Sequence, residues 1–117
     1  MKKPVSKHLR QALPMLDILT RLSKRKRMKE LAEMGGEIKL YNALHEIAFN
    51  TIKGPVKLTE VQKRKIKPYR KTLEDLCKKK YKNCIKKRKE LIIQSGGFLP
   101  IVLPTIVSLL SAILNNG

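Results

Sequence analysis

The chain has 117 residues, with 27 Lys and Arg against 9 Asp and Glu and a formal net charge of +18 at pH 7. That length suits one domain and is too short for a barrel or doubly wound enzyme of about 200 residues or more. Apolar residues make up 42% and aromatic residues 4%, with no Trp, which argues against a disordered chain and calls for an aliphatic core.

Charge divides the chain. Residues 1–30 form a basic N-terminal arm or helix, with 10 basic and 2 acidic side chains. Residues 31–95 read as a helical basic domain, nearly neutral as far as position 61 and then very basic. Residues 96–117 form a Gly-Gly hinge and a hydrophobic tail, and no charge stands after Glu90.

Helical periodicity runs throughout, without strand alternation of useful length. Leu9, Leu13, Leu16, Leu19 and Leu22 mark a first helix that Pro14 is expected to start or break. Met28, Leu31, Ala32 and Met34 form a shorter amphipathic run, closed by Gly35-Gly36 as a C-cap. Ile38, Leu40, Tyr41, Leu44, Ile47, Ala48 and Ile52 mark the clearest helix, which Gly54-Pro55 ends. Leu58-Thr59-Glu60-Val61-Gln62 then reads as a capping box with Leu58 as a staple residue. That helix continues through Ile66, Tyr69, Leu73, Leu76 and Cys77, with a bend near Pro68. Asn83 is placed to cap a helix holding Ile85, Leu91 and Ile92, and Thr105 one running to Leu114. The expectation is an all-α bundle of four to six helices.

The basic residues form runs: Lys24, Arg25, Lys26 and Arg27; then Lys63, Arg64, Lys65, Lys67, Arg70 and Lys71. A third group comprises Lys78, Lys79, Lys80, Lys82, Lys86, Lys87, Arg88 and Lys89. A solvated helix face would intersperse Glu with Lys for pairs worth about 0.2–0.5 kcal/mol each. Here like charges repeat, so a polyanion is expected to offset the repulsion. Double-stranded DNA ranks first, since +18 matches the phosphates of about nine base pairs. Acidic membrane lipid is the other polyanion. Lys outnumbers Arg by 20 to 7, and Lys lacks the fork that reads guanine, so binding is expected without sequence preference. Each basic tetrad also matches a nuclear-import signal.

Little catalytic chemistry can be assembled. There is no phosphate loop, no Gly-x-Ser-x-Gly and no carboxylate cluster, and His45-Glu46 point about 100° apart on a helix. No enzyme activity, cofactor or metal is expected. Cys77 and Cys84 would stand about 10 Å apart along a helix, too far for a bridge. No signal peptide is read at the N-terminus.

The tail keeps several readings open. Pro100 and Pro104 are expected to confine regular helix to Thr105–Leu114, about 15 Å and too short to span a bilayer. Phe98, Leu99, Ile101, Val102, Ile106, Leu109, Leu110 and Ile113 then either pack on the domain's own core or anchor it. An anchor would use an acidic membrane interface or a groove on a capsid protein.

From Leu31 to Leu114 the chain resembles small basic proteins of adenovirus-like double-stranded DNA viruses and the related polinton (Maverick) and adintovirus elements. The resemblance rests on Leu44-His45-Glu46, Asn50, Lys53-Gly54 and Leu58-Thr59, then Lys86-Lys87-Arg88-Lys89. The block Gln94-Ser95-Gly96-Gly97-Phe98-Leu99-Pro100 completes it. It implies a viral core or minor capsid protein that binds the genome, in the virion and the host nucleus. It also implies maturation cleavage at Gly96-Gly97, although Gln94 stands where that protease prefers Met, Ile or Leu. A helix C-cap and hinge is the alternative role for the two glycines. Two other functions remain open: a membrane-active or capsid-anchoring virion protein, and a helical protein-interaction module.

Overall fold

Ser6 sets the first helix, its Oγ accepting from the Leu9 N–H at 3.2 Å while its own N–H donates to Glu46 Oε2 at 2.8 Å. The computed structural model describes residues 6–54 and 56–116, with the side chains of all but Lys79 and residues 109–116. Helix α1 (Lys7–Arg21) buries Leu9, Leu13, Leu16 and Leu19 on one stripe. Pro14 neither starts nor breaks it. The ring lies on the exposed side, so the one ladder bond it forgoes costs no buried group its partner.

Helix α2 (Lys24–Glu33) follows a Ser23 cap and ends before Gly35, whose φ of +63° is the left-handed stop read from the sequence. Helix α3 (Ile38–Ile52) begins at Glu37, whose carboxylate accepts from the N–H groups of Lys39 and Leu40. It buries Leu40, Tyr41, Leu44, Ile47 and Ala48 and stops just before Gly54; Pro55 lies outside the described residues.

Helix α4 (Glu60–Ile66) opens on the full capping box between Thr59 and Gln62. A 3-10 turn over Lys67–Tyr69 holds Pro68 at the expected bend and leads into α5 (Arg70–Cys77). Helix α6 (Ile85–Ser95) starts from Cys84 without a side-chain cap. Asn83 therefore stands one position too early to cap it.

The tail departs most from expectation. Helix α7 runs from Leu99 to Asn116, because Pro100 falls in its first turn, where no N–H bond is required, and Pro104 is carried inside on an exposed position. Phe98, Leu99, Val102 and Ile106 are wholly buried, and Leu103 nearly so. They pack in one cluster with the leucines of α1 and with α3. Of the readings left open for this segment, packing on the domain's own core holds from Phe98 to Ile106. α3 sits at the centre, against α5 on one flank and α1 on another, while α2 and α5 both meet α6. No strand occurs among the described residues, and the all-α expectation holds.

α6 turns into α7 through a bend of 79°. A Cβ on Gly97 would run into the ring of Tyr69, and one on Gly96 would stand 2.9 Å from Leu31 Cδ1 and closer still to Met28 Sδ. The bend also strands a carbonyl. Gly96 O would take its helical bond from residue 100, which is Pro and has no N–H. Arg27 Nε donates to it instead, at 2.7 Å.

Gly97→Ala is therefore expected to lower stability by about 1–3 kcal/mol, the usual range for overpacking. Gly36→Ala should cost less, since its Cβ meets only the side chains of Lys89 and Arg88. Thermal unfolding followed by circular dichroism compares the two.

Candidate nucleic-acid interface

Three of the candidate cations meet at one acid. The side chain of Asp75 on α5 is only 5% exposed, yet three ammonium groups reach it. Lys71 stands 3.6 Å away, Lys78 3.5 Å and Lys87 of α6 3.9 Å. An unpaired carboxylate at that depth would be costly. Lys87 also lies 3.8 Å from Glu90, and with Lys80 it covers the ring of Tyr81 at 5.2 and 5.0 Å. Asp75 thus ties α5, the 79–81 turn and α6 into one cationic surface. Sequence reasoning passed over it, although Thr72, Asp75 and Leu76 fall on one buried stripe at i, i+3, i+4.

Each basic tetrad turns one arginine inward. Arg27 is 7% exposed, donating through Nε to Gly96 O and through Nη1 to Leu22 O at 3.0 Å. It was read as a phosphate contact; its burial and two carbonyl bonds give it a structural place instead. Arg88 is half-buried, with Nε on Gly36 O at 2.5 Å and Nη1 on Lys82 O at 2.6 Å. Spacing carried the signal in both cases. Arg27 shares its stripe with Leu31, and Arg88 stands three and four residues before Leu91 and Ile92.

The other candidate cations face solvent: Lys24, Arg25 and Lys26 on α2, and Lys63, Arg64, Lys65, Lys67, Arg70 and Lys71 along α4, the 3-10 turn and α5. Lys78, Lys80, Lys82, Lys86 and Lys89 are exposed as well, and Lys79 lies outside the described side chains. Residues 60–77 lie on two short helices, about 10 and 12 Å long at 1.5 Å per residue, joined by the 3-10 turn. Exposed ion pairs along this stretch, Lys63 with Glu60 at 3.4 Å and Arg70 with Glu74 at 3.0 Å, are solvated and weak.

The tail candidates do not lie together on a free surface. Phe98, Leu99, Val102 and Ile106 are in the core and Ile101 is partly buried, while Leu109, Leu110 and Ile113 lie outside the described side chains. No helix among the described residues is long and apolar enough to cross a membrane. The Gly96-Gly97 bond is packed beneath Tyr69 and against Met28, so packing accounts for both glycines.

His45 Nδ1 lies 2.6 Å from Leu76 O, which fixes that nitrogen as the donor. No group of three metal-ligating side chains occurs among the described residues. Cys77 is partly buried and Cys84 exposed, with no disulfide between them. Burial pushes the Cys77 thiol above its ordinary 9.0, against a pull downward from Lys53. Burial likewise raises Tyr41 above 10.0, with Arg88 opposing and Asp75 adding to it. Its hydroxyl has no hydrogen-bond partner among the described residues. Comparison with protein-family models, curated proteins and solved structures finds no match for the chain.

Three outcomes follow. Lys71→Ala should change stability by less than about 0.5 kcal/mol, because two ammoniums remain at Asp75, whereas Asp75→Ala should cost about 1–3 kcal/mol. Urea unfolding measures both. Folded Tyr41 and Cys77 hold their protons more tightly than the unfolded chain does. Unfolding therefore releases protons once pH exceeds about 9, and stability should fall as pH rises further. Thiol labelling at pH 8 should modify Cys84 well before Cys77.

Proposed function

We propose that this chain binds nucleic acid, duplex DNA first among polyanions, by neutralising phosphates without reading base sequence. The observation that carries the reading is the exposed cationic surface. Fourteen of the eighteen candidate cations face solvent on α2, on the α4–α5 stretch and around α6. Holding so many like charges on one small domain costs repulsion that a phosphate backbone would offset.

The inward arginines strengthen this reading. With Arg27 and Arg88 engaged by backbone carbonyls, the outward charge is mostly lysine, which binds phosphate as a point charge and discriminates bases poorly. Counterion release would supply the affinity. With the resemblance to core proteins of adenovirus-like viruses, the proposed role is genome packaging in a virion. The anchoring alternative draws less support, because Phe98, Leu99, Val102 and Ile106 are committed to the core.

Binding of the whole chain to random-sequence duplex DNA across about 50–300 mM salt tests the proposal. Log K against log salt should fall with a slope near −5 or steeper, about 0.9 per neutralised phosphate. Reversing Lys86 and Lys89 to Glu, both exposed, should make that slope shallower without unfolding the protein. A flat slope, or preferential binding to acidic vesicles, would overturn the reading.

A further inference from the structure

A cleft of about 370 Å³ opens between the end of α3, the segment before α4, and the α4–α5 stretch. Its floor is aliphatic: Ile52, Val56, Leu58, Ile66 and Leu73. Leu73 and Val56 are buried, and the other three are partly covered. Its rim is cationic. Lys63 of α4, Lys67 of the 3-10 turn and Arg70 at the start of α5 line it, and all three are exposed.

Lys67 has no acidic partner among the described residues. Lys63 and Arg70 reach only Glu60 and Glu74, which are 85% and 50% exposed. Such solvated pairs are readily exchanged for a ligand anion. Pockets that bind small molecules combine an apolar wall with a few converging polar groups, typically in about 300–1,000 Å³. This cleft lies at the small end of that range, room for one unbranched chain rather than a two-chain lipid.

We propose that the cleft binds an amphipathic anion: a medium-length alkyl chain laid on the aliphatic floor, its carboxylate or phosphate meeting Lys67 and Arg70. The cleft shares Lys67 and Arg70 with the proposed phosphate surface, but the proposal stands on the cleft's own lining. Shape and apolar area would hold the chain, while the charged end would fix its direction.

Titration of the isotope-labelled full chain with decanoate, kept below its micelle concentration, tests this by amide chemical shifts. Decanol and acidic phosphatidylglycerol vesicles serve as the parallel probes. Saturable decanoate shifts confined to residues 51–58 and 63–73 are expected, with affinity about ten-fold above decanol, as one charge-assisted hydrogen bond supplies. Lys67→Ser with Arg70→Ser should remove that advantage and leave decanol binding unchanged. Leu58→Trp, filling the cleft from its edge, should weaken both alkyl probes. Equal affinity for decanoate and decanol would overturn the proposal. So would shifts centred on residues 78–89, or a response to vesicles without one to monomeric decanoate.

Discussion

The fold depends on the near right-angle turn between α6 and α7. A helix carrying the basic run Lys86–Lys89 has to be followed, within three residues, by the side chains that fill the centre of the molecule. Only a chain without Cβ atoms can pass beneath Tyr69 and Met28 at that point. Pro100 then removes the N–H that would have paired Gly96 O, and the Arg27 guanidinium takes its place. A glycine pair, a proline and a buried arginine from another helix thus solve one problem together. Arg27 cannot be exchanged for Lys without loss, since its second donor also holds Leu22 O.

The second organising problem is repulsion. Residues 62–90 carry 14 basic side chains and 3 acidic ones. The fold does not spread acids evenly among them. It plants Asp75 below the surface, where low polarity strengthens its pull, and lets three lysines share it. Charge on α5 and α6 is thereby held together from beneath while its outer side stays free. Tyr81 offers its ring to one of these three, Lys87, and to Lys80 beside them.

Much of this was legible in the sequence. The leucine stripes of α1 and α3, the left-handed stop at Gly35, the Thr59–Gln62 box and the bend at Pro68 follow from local rules, and all are present. The misreadings share a cause: they depended on what lies across the fold. Pro14 and Pro104 were read as breakers, but a proline on an exposed helix position removes only an outer bond. Uncharged residues from Phe98 to Ile106 look alike whether they meet lipid, a partner or the chain's own core. Arg27 and Arg88 vanished into runs of like residues, although their spacing to Leu31 and to Leu91 and Ile92 marked them. Of the candidate interface, the identity of the exposed lysines was readable, and the buried acid that three lysines share was not.

The order in which the core is assembled has a consequence for synthesis. Leu9, Leu16 and Leu19 are made some ninety residues before Val102, Leu103 and Ile106, yet all six share one cluster. The segment that completes the interior is translated after every helix it covers. A growing chain must carry open apolar surface beside a dense positive charge until that segment arrives. The core cluster therefore closes only after that segment has been made.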